Sequence, residues 1–425
     1  MLKIDILVAE IGSTTTMVNA FTNLDKAKPQ FLGQGTAPST VLEGDVTWGL
    51  EDAVRDLELH LGSKVRWQRM MASSSAAGGL KMTVHGLVYD MTAKAAKEAA
   101  LGAGAVIHVV TAGILSPWDI EQVIKIQPNI ILLAGGVDYG EEATVMANAR
   151  ALSRLDIDTP IIYAGNIAAQ DELKEIFKER NQVYLVENVY PRIDILVIEP
   201  TRKIIREVFE KHIVRAPGME KIREMVDGPI VPTPGAVMNA AIFLREEIGD
   251  LMVVDVGGAT TDVHSVTEGT DEVQKVLVAP EPVAKRTVEG DLGVYINRYR
   301  VMEKGAQEGP SRGLTMDIRE SLEVLPPIPK TREEIKLVEH IAKIASTIAV
   351  NRHAGEISQR YGPGGRYTVA EGKDLTRVKW IIGTGGALSR LPHSRQILQK
   401  LLKGSERGKL MPPKDAMILI DCQYI

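Results

Sequence analysis

Short β-rich apolar runs alternate with amphipathic stretches along most of this chain. Ile4–Ala9, Met17–Phe21, Ala105–Thr111, Asn129–Leu133, Pro160–Ala164, Gln182–Val186, Leu251–Val254, Val263–Val266, Trp380–Ile382 and Ala416–Cys422 read as strands. Several are continuously apolar, the pattern of strands buried on both faces. Helical spacing covers Thr47–Leu61, where Trp48, Leu50, Val54, Leu57 and Leu61 are the predicted core positions. Helices are also predicted at Thr92–Ala103, Pro117–Ile126, Glu141–Leu155, Ala168–Arg180, Pro200–His212 and Pro234–Ile248. Glu333–Ser358 reads as one long helix with Ile335, Val338, Ala342, Ala345 and Ala349 on one stripe. Strand and helix in alternation define the α/β class. From Ala105 to Val186, four strands with three crossover helices form a small doubly wound unit, read as an inserted domain. Pro310–Pro329 reads as a linker or loop, and Tyr361–Gly365 as a turn.

Composition narrows the class. The chain has 425 residues, 44% hydrophobic and 25% charged, which at about 150 residues per domain predicts two or three globular domains. Fifty Lys and Arg against 55 Asp and Glu give a net charge of −5, so no global basic field addresses nucleic acid. Aromatic residues are 4% of the chain, too few for the stacking platforms of single-strand binders. The lone Cys422 can form no internal disulfide, and no Cys/His group has zinc spacing. A reducing cytoplasm is the expected location. The first ten residues are too short and too charged for a signal peptide, and no apolar run approaches the ~20 residues of a membrane span.

The distinctive feature is the placing of the 38 glycines. Ile4–Ala9 leads to Glu10-Ile-Gly12-Ser13-Thr14-Thr15, and Leu251–Val254 leads to Asp255-Val-Gly257-Gly258-Ala-Thr260-Thr261-Asp262. Each lies between two strands, so each predicts a hairpin turn whose N–H groups and hydroxyls grip phosphate. The carboxylate just upstream suits a hydrated divalent ion. A Walker loop, which must open a helix and carry Gly-Lys-Ser/Thr, is absent from the sequence. Trp380–Ile382 leads to Gly383-Thr384-Gly385-Gly386-Ala387, where glycines let adenine and ribose lie against backbone. Phosphoryl transfer depends on positioning and charge neutralisation, which these residue types supply.

Two hairpins followed by a late Gly-Gly turn resemble the actin-like ATPase superfamily of actin, heat-shock chaperones and sugar kinases. The resemblance implies an actin-like (ribonuclease H-like) fold with nucleotide in a cleft of two α/β domains. It matches Gly12–Thr15 to phosphate motif 1, Asp255–Thr261 to phosphate motif 2 and Gly383–Ala387 to the adenosine motif. One departure is visible: motif 1 usually carries Asp where this chain has Glu10, whose longer stem bears on metal geometry and hydrolysis rate. A narrower likeness lies in Ala72-Ser-Ser-Ser-Ala-Ala-Gly-Gly-Leu80, His85-Gly-Leu, Ala99-Ala-Leu-Gly-Ala-Gly104, Leu133-Ala-Gly-Gly-Val-Asp138, Arg286-Thr-Val-Glu-Gly-Asp-Leu-Gly293 and Arg352-His-Ala-Gly355. These resemble the MutL/GlmL family of glutamate mutase accessory proteins, in which MutL is unrelated to the mismatch-repair protein so called. The likeness implies an ATP-dependent reactivating chaperone for adenosylcobalamin-dependent mutase subunits. On that resemblance relatives continue past the strand Ala416–Cys422 into a closing helix, and whether the C-terminus is shortened stays open.

On that resemblance, Glu10 and Asp255 order the waters of Mg²⁺, and Asp255 or Asp262 orients the attacking water. Gly12, Ser13, Thr14, Thr15, Gly257, Gly258, Thr260 and Thr261 hold the phosphates of ATP or ADP, and Gly383, Gly385, Gly386 and Ala387 the adenosine. The domain scheme becomes 1–104, a first actin-like subdomain; 105–190, a flavodoxin-like insertion; 191–250, a helical connection; and 251–425, a second actin-like domain. Small-molecule kinase and slowly hydrolysing actin-like scaffold stand as alternatives, and homodimerisation stays open. Glu289 and Asp291, which bracket Gly290, are candidates to close the cleft or touch the metal. His85, His264 and His353 read as structural.

Overall fold

The computed structural model describes residues 1–12, 15–41, 43–75, 80–179, 182–213, 219–307, 316–402 and 408–424. Its contacts divide the chain into two compact units, Met1–Ala236 and Val237–Ile425. The strands of the first unit are β1 (Leu2–Ile11), β2 (Thr15–Thr22), β3 (Gln30–Pro38), β4 (Val65–Ser74), β5 (Leu80–Gly86), β6 (Ala105–Ala112), β7 (Ile130–Leu133), β8 (Ile161–Tyr163), β9 (Val183–Leu185) and β10 (Val231–Pro232). Those of the second are β11 (Leu251–Val256), β12 (Thr261–Val266), β13 (Ala284–Glu289), β14 (Glu356–Gly362), β15 (Gly365–Glu371), β16 (Trp380–Thr384) and β17 (Met417–Ile420).

Two of the sheets follow one plan. The first has the order β10-β4-β1-β2-β3, and the sheet of the second unit has β13-β12-β11-β16-β17. In each, the opening strand pairs antiparallel with the next and parallel with a strand that returns later. A third strand adds antiparallel on one side and a fifth parallel on the other. This is the ribonuclease H-like arrangement, found once per unit, so the fold class is the actin-like α/β one expected from the sequence.

Alternation along β1 buries Leu7, Ala9 and Ile11 on one face, and Ile4, an odd step away, is buried on the other. The helix Val46–Leu61 covers that sheet. Asp45 caps it, accepting from Thr47 N at 2.9 Å, and Gly62 ends it in the left-handed conformation at φ 63°. Its buried stripe is Val46, Leu50, Ala53 and Leu57. Each fully buried Leu or Val contributes about 1.5–3 kcal/mol. Trp48, predicted to be core, is 51% exposed. It stands two residues from Val46 and Leu50, hence on the opposite side of a 3.6-residue turn.

In the second unit, Val254 and Val256 of β11 pack with Val338, Ala342, Ala345 and Ala349 of the helix Arg332–His353. A capping box fixes its start. Thr331 Oγ1 accepts from Glu334 N at 3.2 Å, and Glu334 Oε2 accepts from Thr331 N at 2.9 Å. The predicted helix ran to Ser358, but Ala354 turns extended and the chain enters the β14–β15 hairpin. Within the predicted loop at Pro310–Pro329, residues 316–323 form a helix, and 310–315 lie outside the described residues.

The third sheet is wholly parallel, in the order β6-β5-β7-β8-β9. Renumbered from its first strand this is 2-1-3-4-5, the flavodoxin-like order. It contains the four strands expected from Ala105 onward and one more, β5, upstream of residue 105 and hydrogen bonded between β6 and β7. No helix among the described residues is long and apolar enough to cross a membrane.

Candidate functional site

The turn joining β11 to β12 is tied down on one side and open on the other. It closes with Gly257 N donating to Thr260 O at 2.9 Å. The segment that follows β13 then takes the turn's carbonyls. Val294 N donates to Gly257 O at 3.1 Å, and Tyr295 N and Ile296 N donate to Gly258 O at 2.9 and 2.8 Å. Asn297 Nδ2 donates to Ala259 O at 2.8 Å. Close approach makes this possible, because a β-carbon on Gly293 would stand 2.2 Å from the carbonyl carbon of Ala259. The N–H groups of Gly258 and Ala259, by contrast, form no hydrogen bond among the described residues. Among the described residues, a β-carbon on Gly258 would meet only the Tyr295 β-carbon, at 3.8 Å. Occupied carbonyls and free amides are the donor pattern that suits an anion.

Asp255 stands two residues before the turn and faces Asp262 across the ladder. On its other side it pairs with Thr384 of β16, and Gly385 follows at φ 87°. A β-carbon on Gly385 would lie 2.3 Å from Asp255 Oδ1 and 2.6 Å from the Val256 backbone. Of the expected adenosine residues, Gly385 therefore touches the carboxylate, while Gly386 is exposed with open space around it. Gly383 and Ala387 are buried instead. The first lies against Leu398, Ile420 and Leu388, and the second belongs to the core.

Asp262 is committed elsewhere. Arg286 reaches its Oδ1 from Nε at 2.9 Å and from Nη2 at 2.7 Å, while Thr260 Oγ1 donates to Oδ2 at 3.1 Å. Both members of the ion pair are buried. Asp262 thereby braces the threonine at the end of the turn. Thr261 points inward and donates to Leu292 O at 2.7 Å. Glu289, register partner of Thr261, bonds Arg352, which also bonds Asp291 at 3.1 Å. Burial raises the Glu289 carboxyl above the ordinary range against the opposing pull of Arg352. Burial also acts to raise Asp291, but Arg352 and Lys304 together hold it below.

The first unit repeats the turn. Gly12 N donates to Thr15 O at 3.0 Å, closing β1 onto β2 as Gly257 closes β11 onto β12. Ile11 pairs with Thr16 where Val256 pairs with Thr261, so Glu10 corresponds to Asp255 and Thr15 to Thr260. Glu10 faces Met17 at the register position that Asp262 holds in the other unit, so the residue opposite Glu10 is apolar and not a carboxylate. The hydroxyl of Thr16 is buried without a hydrogen-bond partner. Ser13 and Thr14 lie outside the described residues, as do Ala76–Gly79 of the Ala72–Leu80 motif.

A nucleotide and its magnesium suit this donor set. Free amides answer phosphate oxygens, and a hard carboxylate answers a cation that keeps most of its water. Among the described residues no group of three or more His, Cys, Asp or Glu is set to hold a metal directly. The three histidines read as structural are all buried. Sequence reasoning did not assign the 292–297 segment to the turn. The signal was Gly293, a glycine in a family-like motif whose packing role only the fold shows.

The site is that of an α/β protein with duplicated ribonuclease H-like sheets, each bearing a Gly–x–x–Thr turn behind a carboxylate. The MutL protein family profile matches residues 6–425. Protein MutL of Clostridium tetanomorphum is 38% identical over 436 aligned positions, 99% of this chain and 94% of the relative. The chain belongs to the MutL family. Among solved structures, nucleotide-free acetone carboxylase aligns over 92% of this chain and 67% of its own, with 12% identity and a TM-score of 0.39. A glycerol dehydratase reactivase aligns over 93% of this chain and 95% of its own, with 12% identity and a TM-score of 0.35. A nucleotide-free diol dehydratase-reactivating factor aligns over 94% of both chains, with 9% identity and a TM-score of 0.29.

Proposed function

We propose that this protein is a cytoplasmic, ATP-hydrolysing chaperone that reactivates an adenosylcobalamin-dependent mutase such as glutamate mutase. The carrying observation is the turn Gly257–Thr260, whose carbonyls are occupied while its Gly258 and Ala259 amides are free beside Asp255. Its recurrence at Gly12–Thr15 behind Glu10 supports a nucleotide rather than an isolated anion. Membership in the MutL family supports the mutase as partner.

In this reading Gly258 and Ala259 donate to phosphate oxygens, and Thr260, held by Asp262, presents its hydroxyl there. Ser13, Thr14 and Thr15 do the same at the first turn. Asp255 and Glu10 accept from metal-bound water, Asp255 also orienting the attacking water. Magnesium, when bound, neutralises phosphate charge. Gly385 keeps backbone close to Asp255, and Gly386 leaves room for the adenosine. The functional division follows the scheme of two actin-like parts, a flavodoxin-like module and the helical connection 191–250.

ATP and ADP titration, phosphate release and recovery of a cobalamin-damaged mutase test this reading together. Asp255→Ala is expected to lower turnover by about 10²-fold. Unchanged binding and turnover in that variant would remove the site. A phosphorylated small molecule as product would make the chain a kinase. Nucleotide-dependent sedimentation with hardly any turnover would make it a scaffold.

A further inference from the structure

A parallel sheet sends every strand out through the same edge, so the loops after β5, β6, β7, β8 and β9 share one face. On that face the chain leaves large apolar side chains bare. Tyr89 follows β5; Ile114 and Trp118 follow β6; Tyr139 follows β7; Ile167 follows β8; Ile193 follows β9. Trp118 is 62% exposed and Tyr139 81%. Five strands at about 4.8 Å spacing spread this row over roughly 20 Å. Scattered single apolar residues on a surface mean little, but one on every loop of one edge marks a contact face. Tyr and Trp are the residue types that dominate binding energy at protein interfaces.

The loops are also held rigid from behind. Asn148 accepts from Leu115 N at 2.8 Å and donates to Gly113 O at 2.9 Å, fixing the β6 loop. Asn166 accepts from Tyr139 N at 2.8 Å and Ala168 N at 3.0 Å, fixing the β7 and β8 loops. Asn188 donates to Gly136 O at 3.0 Å and to Asp138 Oδ1 at 2.9 Å. These three side chains are almost wholly buried, and each is hydrogen bonded within the chain. The polar groups behind the edge are thus spent on the loops themselves, which favours a broad apolar contact over a small polar ligand. Preorganised loops also lose less entropy on association. The exposed charges nearby are chiefly acidic: Asp90, Glu141, Glu187 and Asp194, against Arg192.

We propose that the carboxyl edge of the flavodoxin-like sheet docks the partner enzyme, through a patch on that enzyme with an apolar centre and a basic rim. The inference rests on the mutase reading above and adds the face that binds. Trp118 and Tyr139 are its anchors, and the acidic rim selects the basic partner surface and steers its approach.

Purified glutamate mutase, titrated with the full chain in the presence of ATP or ADP, provides the test, with ATP affinity and thermal unfolding measured in parallel. The double variant Trp118→Ser/Tyr139→Ser is expected to bind the mutase at least ~10-fold more weakly while ATP affinity and unfolding stay as in the wild type. Asp90→Lys/Glu187→Lys is expected to slow association and flatten its salt dependence. Wild-type binding retained in full by the double variant would overturn the docking face and leave the reactivase reading intact. Absence of wild-type binding to glutamate mutase and to other cobalamin mutases would remove both. Loss of self-association alone in the double variant would make a second copy the occupant and overturn the proposal.

Discussion

Gly293 lies against Ala259 so closely that its pro-chiral hydrogen occupies the only space a side chain would have: a β-carbon there would stand 2.2 Å from the Ala259 carbonyl carbon. That contact lets the backbone of residues 294–296 take the turn's carbonyls and leaves its amides unspent. Gly293→Ala is therefore expected to push the turn out of place. ATP affinity measured by calorimetry should fall at least ~10-fold. Gly258→Ala, whose β-carbon would meet the Tyr295 β-carbon at an ordinary van der Waals distance of 3.8 Å, should leave thermal unfolding within about 0.5 kcal/mol of wild type.

The buried pair Asp262–Arg286 sets a second expectation. Asp262→Asn takes the opposite charge away from a guanidinium that is 1% exposed, and breaking a buried pair from one side costs about 3–5 kcal/mol. Chemical denaturation of the second unit should register that loss. Arg286→Met added to Asp262→Asn should restore a large part of it, because the buried positive charge is then gone.

Gly385 combines φ 87° with contact to Asp255 Oδ1. Gly385→Ala meets a left-handed backbone cost of about 1–2 kcal/mol and a collision with the carboxylate. ATP turnover is expected to drop more than stability does, since Asp255 is the group displaced. Phosphate-release kinetics alongside thermal unfolding will show which falls further.

His85 sits between Thr111 Oγ1 at 2.8 Å and Thr83 Oγ1 at 3.1 Å, and burial lowers its pKa to about 4. Its folded value is below the unfolded value near 6.5, so the proton is taken up preferentially by the unfolded state. The stability it contributes is whole above pH ~6.5 and is lost as pH falls toward about 4, up to about 3 kcal/mol in all. Amide exchange in β5 and β7, followed between pH 7.5 and 4.5, should quicken beyond its intrinsic pH trend. His85→Gln should flatten that excess.

Much of this architecture is legible in the residues themselves. The helix Pro117–Ile126 appears at its predicted bounds because Ser116 and Asp119 form a capping box ahead of an N-terminal proline. The duplicated turns were legible because in each a carboxylate, glycine and threonines follow an apolar strand in the same order. β14 escaped because six of its seven residues are exposed, so no alternation marks it. β5 was read as part of a motif, since its neighbours β6 and β7 lie far along the chain and only tertiary pairing shows that it belongs with them. The commitment of Asp262 to Arg286 was hidden for the same reason: the pair meets across β12 and β13, and nothing in the local sequence joins them.

The sheet plan also governs how the chain comes together as it is made. Val254 finds Val263 of the adjacent strand almost at once, but its other neighbour, Gly383, is synthesised more than a hundred residues later. The antiparallel hairpin that carries the free amides can therefore form early on the ribosome, whereas the side of β11 that awaits β16 stays an open edge. An emerging chain holds that edge bare through most of the second unit's translation, the interval in which a holdase or slow elongation would matter most.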